Sequence, residues 1–271
     1  MLRRGFTLME LMVVVLIISI LMGLLLPAVS RSRHQARLTV GTANLRSVSQ
    51  MMLIYTTSSR EEFLNPFRPQ WPDGRFQFND AVSGDQTMSW RFADDLCNWF
   101  HTDGFSGVWY SYLAEFRGDL SSRAPDEQYS PADADALAAR RDAQARGGIQ
   151  SDQLYAGTFR YSSTFWLKPS RFAGTLNAAI ADEIRTATVA DVVYPDRKVM
   201  IWERADFSRM KNTSPRQNVV TVDGSVRSVL LEDCLQPAIS PPPCGPSGSY
   251  FQHTMFGVKG ADLRLSTGNV P

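Results

Sequence analysis

The sequence has little excess charge, few histidines and few cysteines, and the charge balance already excludes one class of function. Its 28 lysines and arginines nearly match its 27 aspartates and glutamates, so the formal charge is only +1 over 271 residues. A nucleic-acid-binding protein normally shows a basic patch or a strongly basic balance, and we therefore predict no nucleic-acid partner. The length allows one or two domains, and the composition is neither collagen-like nor of low complexity.

Signatures of catalysis and of metal binding are equally scarce. None of the three histidines lies in an HExxH motif, and no Gly-x-Ser-x-Gly nucleophile elbow occurs. Two loose groups could supply metal ligands, but neither has the ordered spacing of an EF-hand loop. They are Asp94, Asp95, His101 and Asp103, and Asp73, Asn79, Asp80 and Asp85. We predict that the protein is not an enzyme and holds no metal or other cofactor.

What the sequence does have is a long apolar segment near its start. Of the 24 residues from Phe6 to Val29, 19 are hydrophobic. A secretory signal has an apolar core of roughly 7–15 residues, whereas about 20 apolar residues cross a bilayer as a helix. The segment contains one carboxylate, Glu10, and an ionisable group within a membrane is costly and usually functional. Arginines flank both ends of the segment, so charge does not decide its orientation.

The residues around this segment resemble the class III signal of type IV pilins and type II secretion pseudopilins. The pattern is a basic leader ending at Gly5, then Phe6-Thr-Leu-Met-Glu10 and the apolar run. In that family a prepilin peptidase cuts after the glycine and methylates the new first residue, which implies cleavage after Gly5 and N-methylation of Phe6. Glu10 then occupies the position of the family's glutamate. Gly23 and Pro27 fall where many members have a helix-weakening glycine and proline.

The resemblance also implies partners and a location. The partners would be a prepilin peptidase, other pilin or pseudopilin subunits in a homo- or hetero-filament, and the bacterial inner membrane. The chain would cross that membrane once, with its head in the periplasm or outside the cell as part of a filament. A processed N-terminus is a cation at a helix start, where backbone N–H groups already concentrate positive charge. Glu10, one turn further along, is placed to pair with the N-terminus of a neighbouring subunit, so we predict an assembly role for it.

Helical patterning is predicted to continue beyond the apolar segment. Pro27 cannot donate a hydrogen bond to the carbonyl of Gly23, and a kink is expected there. Further along, an apolar stripe recurs at helical spacing and is predicted to pack on the rest of the chain. Its members are Leu38, Gly41, Leu45, Val48, Met52 and Tyr55.

These patterns divide the chain into a leader, a helix and a globular head. We predict the leader at 1–5, the helix at 6–56 with a transmembrane or filament-core part at 6–29, and an exported globular domain at 57–271. Within that domain, a serine cap, a proline and early acidic residues predict an exposed helical insertion at about 131–146.

Strand signals dominate the second half of the head. Apolar residues alternate from 159 to 165, and the segments Val189–Tyr194 and Lys198–Trp202 are rich in β-formers. The segment 218–230 predicts a hairpin that turns at Asp223 and Gly224. The predicted fold class is therefore α+β, with the long N-terminal helix packed on an antiparallel-sheet head.

Two further features of the head follow from its C-terminal part. The Asp223-Gly224-Ser-Val stretch resembles the C-terminal motif of a large bacterial prepilin-like family with longer globular domains. Cysteines of an exported domain tend to pair, and Cys234 and Cys244 bracket a short proline-rich loop. We predict a disulfide between them, with Cys97 left as a buried thiol.

Two functions from different classes stay open at this point. The favoured function is a non-enzymatic subunit of a type IV pilus-like or pseudopilus filament. The alternative is a membrane-tethered extracytoplasmic binding module, for a surface or polysaccharide ligand, that never polymerises. The many aromatic residues between 60 and 119 could serve such binding, although filling a core is their more common use. Glu10 favours the filament, because a simple tether has no use for a carboxylate in its apolar segment.

Overall fold

In the described residues, a long N-terminal helix is followed by a two-stranded and a four-stranded antiparallel sheet. The computed structural model describes residues 8–65, 76–80, 84–88, 109, 113, 130–131, 138, 141, 145, 158–173, 185–203, 216–238, 251 and 254–264. Its helix and strands are α1 (Leu8–Ser58), β1 (Phe76–Asp80), β2 (Gly84–Met88), β3 (Phe159–Tyr161), β4 (Val199–Glu203), β5 (Arg216–Thr221) and β6 (Val226–Leu230). The predicted α+β class is confirmed.

Helix α1 runs without interruption for 51 residues and contains Pro27 in its interior. At 1.5 Å per residue it is about 76 Å long. Its end is set by Arg60 and Glu61, which have positive φ angles of 57° and 63°. The Glu61 N–H then donates to the Thr56 carbonyl oxygen at 2.9 Å, and this left-handed turn directs the chain away from the helix axis.

The C-terminal half of α1 packs on the head, where it contacts β4, β5 and β6. Its buried residues recur at helical spacing and are Gly41, Leu45, Val48, Ser49, Met52, Tyr55 and Thr56. The prediction that the apolar stripe packs on its own domain is confirmed. Leu38, the most N-terminal residue of the predicted stripe, is only half-buried.

Strands β3 to β6 form one sheet in the order β3-β4-β5-β6, and every neighbouring pair is antiparallel. Consecutive residues of β5 contribute to opposite faces, because side chains alternate along a strand. Val220 joins the core cluster that contains the buried residues of α1. Val219 joins a second cluster, which includes Phe251 and Leu263. These two residues belong to the described residues 251 and 254–264, which we call the C-terminal segment. The sheet therefore lies between α1 and the C-terminal segment.

Burial on both faces explains the composition of β4. Its first four residues, Val-Met-Ile-Trp, are apolar and buried without alternation, as expected for a strand covered on two sides. The register with β5 shifts between Val199 and Ile201. Through this irregularity Met200 and Ile201 both join the cluster around α1, although they are adjacent in sequence. The strand predicted at Lys198–Trp202 is confirmed, one residue further along.

The strand predicted at Val189–Tyr194 is wrong. Val189–Asp191 forms a 3₁₀ helix instead, preceded by Thr188. The Asp191 carboxylate accepts hydrogen bonds from the Thr188 N–H at 2.9 Å and from its hydroxyl at 3.0 Å. Local capping of this kind competes with strand formation and outweighs the β-propensity of the valines.

The alternation from 159 to 165 forms a strand only at β3. Ser163–Phe165 is a 3₁₀ helix, because Ser162 acts as its N-cap and accepts from the Thr164 N–H at 3.4 Å. The Ser162 hydroxyl also donates to the Phe251 carbonyl oxygen at 2.6 Å, which ties this corner to the C-terminal segment. The chain thus leaves the sheet at Ser162, where the sequence predicted that it would continue.

Candidate functional site

The N-terminal half of α1 has no contact that covers it within the described structure. Every residue from Leu8 to Val29 is exposed, including side chains as apolar as Leu8 and Leu26, at 77% and 71% exposure. Among the described residues, α1 is the one helix long and apolar enough to cross a membrane, and its most apolar stretch is not buried. Such a surface is unfavourable in water, so it requires lipid or other protein chains around it.

Glu10 lies in the first turn of this exposed half. A carboxylate there interacts favourably with the positive end of the helix dipole. No further aspartate or glutamate occurs before Glu61, so Glu10 is the one anionic side chain along the whole of α1. Gly5 and Phe6 precede the first described residue. Cleavage after Gly5, methylation of Phe6 and pairing of Glu10 with a neighbouring N-terminus stay predictions.

Gly23 and Pro27 lie near the C-terminal end of the exposed half, where the helix is continuous. A Cβ atom added at Gly23 would meet no atom within 4 Å, so the glycine is not required for packing within this chain. Pro27 lacks an N–H, which leaves the Gly23 carbonyl without its usual helical donor. The kink predicted here stays a prediction.

Gly41 marks the point at which α1 meets the head. A Cβ atom added there would collide with the Ser130 hydroxyl oxygen and would lie 3.7 Å from Oε1 of Glu203. Ser130 is fully buried, and its N–H donates to the Thr158 hydroxyl oxygen at 3.1 Å. Gly41 therefore permits the close approach of the helix backbone to this segment. Of the predicted insertion at 131–146, Pro131 is a half-buried turn residue, and Ala138, Arg141 and Ala145 are helical and exposed.

Asp223 and Gly224 lie in the loop that connects β5 to β6. The Thr221 N–H donates to the Ser225 carbonyl oxygen at 3.0 Å, and the Gly224 N–H donates to the Thr221 carbonyl oxygen at 2.9 Å. This makes a three-residue hairpin loop that needs a left-handed residue in its last position. Gly224 supplies it with φ of +83°, and an added Cβ would lie 3.0 Å from Cδ1 of Leu53 in α1.

The Asp223 carboxylate closes this loop. Its Oδ1 accepts from the Thr221 hydroxyl at 2.5 Å and from the Ser225 N–H at 3.0 Å. Burial alone raises the pKa of Asp223, but these hydrogen bonds and the nearby Arg227 outweigh it, so the pKa lies below its ordinary value. The Asp223 N–H also donates to the Pro195 carbonyl oxygen at 3.0 Å. Asp223 and Gly224 thus both have a structural role in the loop between β5 and β6.

A buried ion pair in the head was not foreseen from the sequence. Nζ of Lys198 lies 2.9 Å from Oδ2 of Asp262, and their side chains are 0% and 3% exposed. Burial lowers the pKa of Lys198, although the Asp262 carboxylate acts in the opposite direction. The Thr254 hydroxyl bonds to both groups, and the Val199 N–H donates to Oδ2 of Asp262 at 2.8 Å. The pair fastens the C-terminal segment to β4, and we assign it a structural role.

Cys234 is a buried free thiol in this structure. Its Sγ donates to the Leu230 carbonyl oxygen at 3.4 Å. Burial, together with the charges of Asp262 and Asp233, raises the pKa of the thiol to about 12. Cys244 and Cys97 lie outside the described residues, and the pairing of Cys234 with Cys244 stays a prediction.

Metal binding has no support among the residues that the structure describes. In those residues no group of three or more histidine, cysteine, aspartate or glutamate side chains could hold an ion. Asn79 and Asp85 are cross-strand partners in the β1–β2 hairpin. Asp73, Asp94, Asp95, His101 and Asp103 lie outside the described residues.

Of the aromatic residues predicted to fill a core, Trp109 is buried, and its Nε1 donates to the Phe159 carbonyl oxygen at 3.1 Å.

Comparison with known protein families identifies the N-terminal segment. Residues 1–26 match the family model described as the prokaryotic N-terminal methylation motif. The match spans Gly5, Phe6 and Glu10 and extends into the exposed apolar half of α1. No curated protein and no solved structure matches the chain. The resemblance of the Asp223-Gly224 stretch to a longer prepilin-like family stays a prediction.

Proposed function

Because residues 1–26 carry the prokaryotic N-terminal methylation motif, which is the signature of type IV pilins and pseudopilins, we propose that this chain is a filament subunit. It is processed by a prepilin peptidase after Gly5, methylated at Phe6 and held in the bacterial inner membrane by its apolar half-helix before assembly. Its head lies in the periplasm or, within a filament, outside the cell. The subunit is non-enzymatic.

The observation that carries this proposal is the exposed half of α1. The 22 residues from Leu8 to Val29 extend about 33 Å along the helix axis, and the head covers none of them. The hydrocarbon core of a bilayer is about 30 Å thick, so the same surface fits a membrane. It also fits a bundle of identical helices, because such helices offer each other apolar side chains. A subunit that passes from membrane to filament requires a surface suited to both.

Glu10 favours a filament subunit over a plain membrane tether. A charge at a helix position inside the bilayer lowers the favourable free energy of insertion, by roughly 2.5–3.5 kcal/mol at the centre and less near the interface. A tether would be improved by an apolar residue at this position. In a packed helix bundle, however, the carboxylate can neutralise the N-terminal ammonium of a neighbouring Phe6. The pair would also fix the axial position of one subunit against the next.

The first prediction concerns processing. We expect the protein isolated from its native host to begin at Phe6 and to carry one N-methyl group. Intact-mass analysis and N-terminal peptide sequencing measure both. The control is the Gly5→Val variant, whose β-branched side chain restricts the backbone at the cleaved bond, and which should keep the leader. A wild-type chain that still begins at Met1 in a cell with an active prepilin peptidase would contradict the proposal.

The second prediction concerns assembly through Glu10. We expect Glu10→Ala to insert into the membrane at least as well as wild type but to give far fewer sheared filaments at equal membrane abundance. Removing one partner of a buried charge pair costs roughly 3–5 kcal/mol, because the other charge stays buried without a counter-ion. The melting temperature of the head should not change, since Glu10 lies far from the head core along α1.

Glu10→Asp is the matched control for this experiment, because it keeps the charge and shortens the side chain by one methylene. It should assemble better than Glu10→Ala. Crosslinked oligomers replace filament yield as the measurement if the filaments are short. Equal assembly by wild type and Glu10→Ala would remove the reason for preferring a filament subunit, and the membrane-tethered binding module would become the better description.

A further inference from the structure

Three exposed arginines follow the apolar half of α1 within two helical turns. They are Arg31, Arg33 and Arg37, and we call them the arginine collar. His34 lies between them and is also exposed. The sequence has no aspartate or glutamate from position 11 to position 60, so nothing along the helix neutralises these charges.

Within the part of the chain that the structure describes, the collar has no role in the fold. Ion pairs form at Arg185, Arg197, Lys198 and Arg227, whereas Arg31, Arg33 and Arg37 take part in none. The buried face of α1 begins only at Gly41, one turn beyond Arg37. An exposed arginine that neither packs nor pairs contributes almost nothing to folding, so the collar guanidinium groups are accessible to a ligand outside the chain.

The position of the collar along the helix indicates the kind of ligand. If Leu8–Val29 spans the hydrocarbon core, Arg31, Arg33 and Arg37 lie about 3, 6 and 12 Å beyond its edge. The headgroup region occupies the first several ångströms there, and long arginine side chains extend toward such an interface. The collar arginines therefore lie in the phosphate layer or within a Debye length of it.

The distribution of the collar around the helix favours lipid over a protein partner. At 100° per residue, Arg33 lies about 160° around the axis from Arg31, and Arg37 lies within about 40° of Arg33. A single protein partner that docks on a helix covers one side of it, and the identical helices of a bundle carry no carboxylate between positions 11 and 60. A headgroup layer surrounds the helix and can meet charges on opposite sides at once.

We propose that the arginine collar binds the phosphate groups of anionic phospholipids at the face of the membrane where α1 emerges. Guanidinium groups bind phosphate oxygens in bidentate geometry, and basic residues next to a membrane segment are attracted to anionic lipid. The inference rests on the membrane insertion of α1 in the proposed function and is independent of filament assembly. In this position the collar sets the depth of the helix in the bilayer and holds the head away from the lipid.

The test uses the full chain reconstituted in vesicles of equal parts phosphatidylglycerol and phosphatidylcholine. Native mass spectrometry counts the lipids of each class that the released chain retains. The collar variant is Arg31→Gln/Arg33→Gln. The matched control is Arg46→Gln/Arg60→Gln, which removes the same charge from exposed positions at least about 25 Å beyond Val29. Both variants keep Arg3 and Arg4, so a difference between them reports on the collar.

We expect wild type and the control to retain phosphatidylglycerol over phosphatidylcholine by about five-fold, and the collar variant to retain the two lipids nearly equally. The preference should disappear when the vesicles are equilibrated in 1 M NaCl, where the Debye length is about 3 Å. Equal retention by wild type, or the same preference in all three chains, would overturn the proposal.

Two further measurements separate this proposal from the proposed function. A chain that does not float with the vesicles would overturn the membrane insertion on which both depend, whereas a chain that floats without a lipid preference would overturn the collar alone. Filament yield of the same variants is the second measurement. If the collar variant lost filaments but kept its lipid preference, the arginines would contact neighbouring subunits, and the lipid assignment would be wrong.

Discussion

At the scale of single residues, the buried pair of Lys198 and Asp262 has the clearest structural role. Lys198 and Asp262 are 64 positions apart, yet they form a buried pair that joins β4 to the C-terminal segment. A buried ion pair is not by itself stabilising relative to apolar residues, but it is sensitive to the loss of one partner. The Asp262 carboxylate accepts three hydrogen bonds, from Lys198, Val199 and Thr254, and these bonds hold the C-terminal segment against β4.

The residue-scale prediction follows from this asymmetry. We expect Lys198→Met to lower the free energy of unfolding by about 3–5 kcal/mol, because it leaves the Asp262 carboxylate buried without its cation. The double variant Lys198→Met/Asp262→Leu should recover a large part of the loss. Urea unfolding of the full chain in detergent, followed by tryptophan fluorescence, measures both.

The matched control is Arg227→Gln, which removes the cation of the solvent-exposed pair between Arg227 and Asp223. Exposed pairs contribute about 0–1 kcal/mol, so this change should have little effect on unfolding. If Lys198→Met destabilised the chain no more than Arg227→Gln, the pair would not fasten the C-terminal segment.

At the scale of elements, helix α1 combines two environments in one uninterrupted unit. Its two glycines differ accordingly, since a Cβ at Gly41 collides with Ser130 and a Cβ at Gly23 meets nothing within 4 Å. Alanine is the better helix former by about 1 kcal/mol at both positions. The surroundings therefore decide the sign of each glycine-to-alanine change.

The element-scale prediction compares these two glycines. We expect Gly41→Ala to lower the free energy of unfolding of the head by about 1–3 kcal/mol, because overpacking of a close contact exceeds the gain in helix propensity. Gly23→Ala should leave the unfolding of the head unchanged. Thermal denaturation of the full chain in detergent compares the two variants. A higher melting temperature for Gly41→Ala would show that the helix does not approach Ser130 as closely as described.

Comparison of the predicted and observed elements shows which features local sequence patterns can predict. Helix α1, its buried stripe and the hairpin at Asp223 follow local rules, namely periodicity and turn chemistry, and were predicted. Val189–Asp191 was predicted wrongly, because a cap formed by Asp191 outweighed the β-propensity of its valines. The Lys198–Asp262 pair had no signal in the sequence, since the contact depends on a tertiary arrangement that no local pattern encodes. The environment of Glu10 in an assembly likewise depends on other chains.

At the scale of the whole molecule, the exposed half of α1 contributes nothing to the contacts that stabilise the head. The first core cluster joins the head to α1 from Leu45 onward, and the second contains residues of the head alone. No residue from Leu8 to Val29 is buried. The apolar half-helix should therefore affect the solubility of the chain and not the stability of its head.

The whole-molecule prediction is a truncation. A chain that begins at Ser30 should be soluble without detergent, monomeric by size-exclusion chromatography, and within about 2 °C of the full chain in melting temperature. The expected agreement follows because the removed residues bury no surface in the head. The full chain without detergent is the control and should aggregate. A large drop in the melting temperature of the truncated chain would mean that the removed half stabilises the head.

The unbroken course of α1 has a geometric consequence for the orientation of the head. A rigid helix transmits both height and azimuth, so each residue inserted between Val29 and Gly41 would raise the head by about 1.5 Å and rotate it by about 100°. Seven inserted residues would restore the azimuth to within about 20° while lifting the head about 10 Å. The number of residues between the apolar half and Gly41 thus sets the angle at which each head faces its surroundings. The length of this segment therefore determines the rotation of the head about the helix axis as well as its distance from the apolar half.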